Sequence, residues 1–557
     1  MPDRLTTLEQ ATLALDTVRT PAVVGTVAAF DSGRSGIDHE RLLALVGDRI
    51  RYVPRYRQRV LAIPGRLGDP VWVDDADFDL SFHVRRARLP RPGGRQQLSD
   101  FTARVLSRRM DRSRPLWELY LVDGLDDDRF ALVAKTHPCL VDGVDTVDLL
   151  QVLLDNEPDD SIAPEESWHP IPAPGPVELL AGAVTESLRD PARTVSNLQH
   201  AVTDVLGAAA SVGETIGLGD LAAETVHGGA SRNRTPLTGP VSGHRRMATV
   251  SAALDDLRLV AAEHDHCLHD VLLELITGGL RSWLMTRGEN VAAGATLTAL
   301  TPVSVSADDD QSSLGSTVEP RLASLPIGPA DASTRMDHIA SETQAHKDSG
   351  RSIPARELAD LAGFAPATLH DLGVRSSGDL VRRPYDVMIT DVPGPRSQVY
   401  LGLNPMTSAY PVIPLSAGHL LAIGITSYNG RVLIGLNADR AAFGDLEVLA
   451  QCILDELADL LASSGVRVEQ DDAAAASRSI RDAKLRARAA KRQVRANLRQ
   501  AGRPKQRGGT SIGPTVPGPS RRRRAATSRA EPSDRGYPKV SSRRDDQTDG
   551  SAQEGDR

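Results

Sequence analysis

Cysteine is scarce in this chain of 557 residues: there are three, Cys139, Cys267 and Cys452, with no paired spacing. That argues against a disulfide framework and against a zinc site, and it fits a reducing compartment. Aromatic residues make up 3%, which leaves base-stacking modes of nucleic-acid binding little to work with. No run approaches the ~18 apolar residues that a membrane span needs. The opening Met1-Pro2-Asp3-Arg4-Leu5-Thr6-Thr7 has no apolar core of signal-peptide type. Any membrane contact is therefore expected to be peripheral, and the expected location is cytoplasmic.

What is present is ordinary for a globular protein, with 40% hydrophobic and 25% charged residues. The length exceeds a single core and predicts two large domains plus extras. The net charge of −8 hides an asymmetry. From Arg478 to Arg557 there are 22 Lys/Arg against 8 Asp/Glu, a balance of +14, while the remainder carries 43 against 65, or −22. An acidic body with a basic tail is a statement about partners rather than fold.

The chain divides into four stretches. Residues 1–160 form a first α/β domain, with a strand over Ala22–Phe30 and a helix over His39–Arg51 that turns Leu42, Leu43, Val46 and Ile50 to one side. Residues 161–238 are a connector, proline-rich up to Pro176 and rich in Ala, Val and Leu beyond it. Its helix either packs on the domains or rests an amphipathic face on lipid. Residues 239–465 form a second α/β domain. It contains a helix over Leu254–Glu263, a hairpin turning at Asn429-Gly430, and a closing helix capped by Asp445 and stopped by Gly465. That last helix buries Leu446, Leu449, Ile453, Leu457 and Leu460. Residues 466–557 lack apolar periodicity and are expected to be disordered, with Arg521–Arg524 their densest charge.

The chemistry centres on Lys135-Thr136-His137-Pro138-Cys139-Leu140-Val141-Asp142-Gly143, a polar turn between the apolar run Phe130–Ala134 and a helix expected from Val144. Rigid elements on both sides make such a turn a good holder of reacting groups. It resembles the His-His-x-x-x-Asp-Gly motif of the bacterial wax ester synthase/diacylglycerol acyltransferase family, one of the CoA-dependent acyltransferases. His137 aligns with the first His, Asp142 and Gly143 with the Asp-Gly pair, and Pro138 stands where the family has its second His. Further stretches match in family order: Pro115-Leu116-Trp117, Gly239-Pro240-Val241-Ser242-Gly243-His244-Arg245-Arg246, His269-Asp270 in place of Asn-Asp, and Asp391-Val392-Pro393-Gly394-Pro395 in place of Asn-Val-Pro-Gly-Pro.

The resemblance implies two chloramphenicol-acetyltransferase-like domains joined by a crossover, with a channel between them. It implies esterification of diacylglycerol or a long-chain alcohol, with acyl-CoA as co-substrate and no cofactor. In the family the second His takes the acceptor's proton, the Asp shapes the turn through an ion pair, and the Gly lets backbone approach substrate. Here His137 is either a replacement base or a residue that keeps the turn's shape, since neighbours on an extended strand point to opposite faces. Trp117 either packs the core or lines the channel. His264-Asp265-His266-Cys267-Leu268-His269-Asp270 looks like a metal cluster but reads better as a polar helix entry, so no metal is expected. Asp308–Asp310 reads as a solvated charge run. The Arg tract suits acidic lipid headgroups at an inner membrane face or lipid droplet better than specific nucleic acid. Three functions stay open: an active acyltransferase with a rearranged base, an impaired homologue that binds acyl-CoA or lipid or modulates an active relative, and a tail-driven surface binder.

Overall fold

The computed structural model describes residues 2–33, 36–63, 68–140, 149–163, 168–179, 235–305, 317–347 and 385–464. Asp142, Gly143, the Asp308–Asp310 run, most of the connector, Gly465 and the basic tail lie outside the described residues. Among the described residues no helix is long and apolar enough to cross a membrane.

The strands, in chain order, are Val24–Asp31 (β1), Gln58–Leu61 (β2), Val71–Asp74 (β3), Val84–Arg88 (β4), Trp117–Asp123 (β5), Arg129–Thr136 (β6), Arg245–Ala253 (β7), Leu297–Val305 (β8), Thr317–Leu325 (β9), Val387–Val392 (β10), Tyr400–Leu401 (β11), Asn404–Val412 (β12), Leu421–Tyr428 (β13) and Arg431–Asp439 (β14). The helices are Thr7–Leu15 (α1), His39–Arg49 (α2), Leu80–His83 (α3), Arg95–Leu106 (α4), Leu149–Leu153 (α5), Leu254–Glu263 (α6), Leu268–Arg287 (α7), Ala332–Lys347 (α8) and Leu446–Ser463 (α9). Two six-stranded sheets result, in the orders β11-β12-β1-β6-β5-β4 and β7-β14-β13-β10-β8-β9, with β2 and β3 paired apart. Each six-stranded sheet has its own apolar core.

Sequence position alone would put Tyr400–Val412 in the second domain, but β11 and β12 belong to the first sheet. The reason lies in β1, whose first seven residues are buried. A strand buried in this way needs a partner on each edge. It finds β6 on one side, from Val24 opposite Thr136 to Asp31 opposite Arg129, and β12 on the other, from Gly25 opposite Val412 to Phe30 opposite Met406. The returning strand also lies against the second sheet. A Cβ at Gly435 would stand 1.8 Å from the Pro411 carbonyl oxygen, and one at Gly424 would stand 3.0 Å from the Pro411 ring.

Local signals explain most helix ends. Asp38 caps α2 by accepting from the Arg41 N–H at 2.7 Å. The helix gives way to a 3₁₀ turn over Ile50–Tyr52, so it is shorter than the expected span. Leu42, Leu45, Val46 and Ile50 are buried, whereas the expected Leu43 is only half-buried. An i, i+3, i+4 stripe begun at Leu42 passes through Leu45 and leaves Leu43 on its flank. The Asn429-Gly430 turn has positive φ at both residues, 44° and 76°, as a two-residue hairpin requires. Asp445 precedes α9 but makes no side-chain capping bond, and faces Arg287 at 3.6 Å instead.

Helices α7, α8 and α9 meet around a buried charge cluster. Arg335 donates to Glu274 at 2.7 Å and to Glu456, and both Arg335 and Glu274 are at most 2% exposed. Burial, then the neighbouring Glu456, push the Glu274 carboxyl up to about 8 against the opposing pull of Arg335.

This packing sets three expected outcomes. Gly435→Val should cost at least ~1–3 kcal/mol by overpacking, read as a lower urea midpoint. Because Glu274 binds its proton more tightly folded than unfolded, its contribution is full below about pH 4.5 and is lost as pH rises towards about 8. Glu274→Gln should flatten that decline in a pH series of unfolding curves, while Arg335→Met, which takes the buried cation from between Glu274 and Glu456, should cost ~3–5 kcal/mol.

Candidate active site

The turn after β6 is held by the backbone before any side chain acts. The His137 N–H donates to the Leu116 carbonyl at 3.0 Å, extending the β5–β6 ladder, and the Leu140 N–H donates to the His137 carbonyl at 3.0 Å. Pro138 opens a 3₁₀ turn over Pro138–Leu140, where the lack of an N–H is no loss. All three turn residues are buried.

His137 is 2% exposed. Its Nδ1 accepts from the Cys139 N–H at 3.2 Å, so the neutral ring carries its proton on Nε2, which finds no acceptor among the described residues. Burial drops its pKa to about 4, opposed by Asp16 and assisted by Arg112 and Arg109. At pH 7 the ring is therefore neutral with its one lone pair engaged, a geometry that suits shape-keeping. Asp16 is buried beneath it and accepts from the Ala22 N–H at 3.1 Å and from Arg109 and Arg112 at 3.0 Å each. Burial alone would raise the Asp16 carboxyl, but the combined pull of His137, Arg112, Ala22 and Arg109 holds it below the ordinary carboxylate range. With the ring neutral at pH 7, the two guanidiniums carry that balance. The cluster did not stand out in the sequence, since Asp16 lies 93 and 96 residues from its two arginines.

Trp117 begins β5 and is wholly buried in the first core. Its Nε1 donates to the Tyr56 carbonyl at 2.7 Å, and its ring stacks on His83 with centroids 4.6 Å apart. His83, which no sequence pattern marks, bonds the Trp117 carbonyl through Nδ1 at 2.8 Å and is driven below its usual pKa chiefly by burial. A polar cavity of about 990 Å³ lined by Arg86, Arg88, Asp123 and Arg129 lies at the far end of β6 from His137 and does not touch the turn.

In the second half, the 264–270 stretch is not one helix. His264 closes α6, Asp265 adopts a positive φ of 55°, and α7 starts at Leu268. His266 lies before the helix start and so does not share a helical face with His269 and Asp270. His266 pairs with Asp337 at 3.0 Å. Asp270, 4% exposed, caps α7 by accepting from the Cys267 N–H at 3.3 Å and its thiol at 2.8 Å. His269 instead meets Asp391 on β10, Nδ1 to Oδ2, at 3.1 Å. Two positions that depart from the Asn-containing stretches thus face each other across 122 residues of chain. Among the described residues no group of three or more His, Cys, Asp or Glu is arranged to hold a metal.

The profile of the wax ester synthase/diacylglycerol acyltransferase catalytic domain matches residues 5–272, and that of the family's C-terminal domain matches residues 314–461. A probable diacylglycerol O-acyltransferase of Mycobacterium tuberculosis, tgs1, is 30% identical over 464 residues, covering 83% of this chain and 96% of its own. The chain belongs to the wax ester synthase/diacylglycerol acyltransferase family. A second relative from that organism, the probable diacylglycerol O-acyltransferase tgs3, is 38% identical over 269 residues, 48% of this chain and 97% of its own. A solved structure, the wax ester synthase/diacylglycerol acyltransferase from Marinobacter aquaeolei VT8, is 25% identical. It superposes with a TM-score of 0.58 over 83% of this chain and 100% of that one.

A depressed His137 contributes stability above the unfolded pKa near 6.5 that is lost as pH falls towards about 4. His137→Gln should therefore weaken the acid dependence of the unfolding midpoint between pH 6.5 and 4. An unchanged slope would mean that the ring takes up a proton without resistance.

Proposed function

We propose that this protein is an acyl-CoA-dependent O-acyltransferase that esterifies diacylglycerol or a long-chain alcohol. The single observation that carries the reading is the match along nearly the whole length of a probable diacylglycerol O-acyltransferase, 96% of that chain. In the reaction the acceptor oxygen attacks the thioester carbonyl carbon, the C–S bond breaks, and the hydroxyl proton ends on the departing sulfur of CoA. No acyl-enzyme is needed, so the site has only to align two substrates and move one proton.

The turn after β6 serves alignment. Its backbone is fixed by the Leu116 and His137 carbonyls, and His137 keeps its shape from inside. Asp142 and Gly143 follow it in the sequence at the spacing of the motif. An acceptor dissolved in lipid requires contact with a lipid surface, and the connector and the +14 tail are the segments suited to it through apolar contact and attraction to acidic headgroups.

The test supplies labelled palmitoyl-CoA with dioleoylglycerol or 1-hexadecanol and measures ester. Ester from the parent chain is expected. Saturable palmitoyl-CoA binding with no ester from either acceptor would overturn the reading in favour of a binding protein. Pro138→His restores an imidazole at the buried turn and should raise the rate, with ~10²–10⁴-fold as the ceiling for an added base.

A further inference from the structure

If the turn holds its imidazole neutral and engaged, the acceptor's proton must go elsewhere, and the second sheet offers a place. Its strands β8, β10 and β13 run parallel. The chain leaves β8 for β9 on one side and leaves β10, by way of β11 and β12 in the other sheet, for β13 on the opposite side, so the switch of direction lies between the neighbouring strands β8 and β10. In open α/β sheets such a switch point forms a crevice outside the carboxyl ends of the strands, and ligands bind there. Among the described residues the β8–β10 ladder is also short. β8 and β10 pair only at Ala299–Val387 and Leu300–Met388, although β8 runs on to Val305 and β10 to Val392. The last four residues of β10 thus lack a ladder partner on their β8 edge, while β13 stays paired with them to Val392. Within that stretch Thr390 is fully buried, and its hydroxyl has no partner among the described residues.

His269 and Asp391 stand at this carboxyl end. Their side chains are 33% and 25% exposed, so the pair is sheltered yet reachable, unlike His137 at 2%. A carboxylate on Nδ1 fixes the tautomer that keeps a proton there and leaves the Nε2 lone pair free. That is the arrangement by which an imidazole accepts a proton from a hydroxyl.

We propose that the His269–Asp391 pair at the open carboxyl end of β10 is the general base of this chain, receiving the acceptor alcohol's proton in place of the imidazole missing at Pro138. The inference rests on the acyltransferase reading and deepens it. The hydroxyl proton passes to His269 Nε2 as the oxygen bonds the thioester carbon. When the C–S bond breaks, the imidazolium returns the proton to the CoA sulfur, and Asp391 stays ionised throughout.

The experiment uses the full chain with palmitoyl-CoA and whichever of dioleoylglycerol and 1-hexadecanol the parent esterifies. His269→Ala should lower kcat by ~10²–10⁴-fold, leave the KM for palmitoyl-CoA within about threefold, and recover in part when free imidazole is added. Asp391→Asn should lower kcat by up to ~10⁴-fold through loss of the fixed tautomer. His266→Ala, three residues away and paired with Asp337, should behave as the parent. His269→Asn keeps a polar side chain at the helix start without a basic nitrogen. It must lose activity while unfolding at the parent's temperature, which separates lost chemistry from lost folding. If His269→Ala makes ester at the parent's rate, or loses activity that imidazole does not restore, the inference is overturned and the function stands. If the parent makes no ester, the function is overturned and this inference with it.

Discussion

Strand β1 is buried over seven of its eight residues, and its edge opposite β6 is closed by β12, a strand that arrives more than 370 positions later in the chain. Everything around the candidate site inherits its position from that pairing. β6 is aligned on β1, the turn at Pro138–Leu140 ends β6, and β12 itself presses the Pro411 carbonyl against Gly435 of the second sheet. The Thr407 hydroxyl adds a bond to the Ala29 carbonyl at 3.1 Å, and Arg245 reaches back from β7 to the Arg19 carbonyl. The register of one sheet therefore constrains the placement of the other.

Two imidazoles with opposite surroundings result. His137 lies inside, deprived of water, with a backbone N–H on one nitrogen and the Asp16–Arg109–Arg112 cluster beneath it. His269 lies at a helix start with a carboxylate on one nitrogen and partial access to solvent on the other side. The first environment favours a rigid neutral ring. The second leaves the ring paired with a carboxylate and within reach of solvent.

Much of this was legible locally. The Asn429-Gly430 hairpin, the α6 span Leu254–Glu263 and the buried stripe from Leu446 to Leu460 all follow from spacing and turn chemistry within a few residues. The family was legible too, because its stretches are short, ordered and spread over both halves. What escaped was non-local. Nothing near Tyr400–Val412 announces that it completes a sheet begun at Val24, since β pairing leaves no mark on its partner's sequence beyond shared apolarity. The Asp16, Arg109 and Arg112 cluster about His137, the stacking of His83 on Trp117, and the meeting of His269 with Asp391 are likewise contacts between residues 34 to 122 positions apart. The break between Glu263 and Leu268 was legible as the end of one expected helix and the polar entry to the next, whereas the positive φ at Asp265 carries almost no compositional signal.

The late arrival of β12 has a consequence for biosynthesis. Ribosomes add ~5–20 residues each second, so β1 waits on the order of tens of seconds with one unsatisfied edge before its neighbour emerges. During that interval the nascent first half exposes a ready template for strand addition by any other extended chain. A fold of this connectivity ties successful production to rapid elongation or to a chaperone that shields β1 until the last third of the polypeptide has left the exit tunnel.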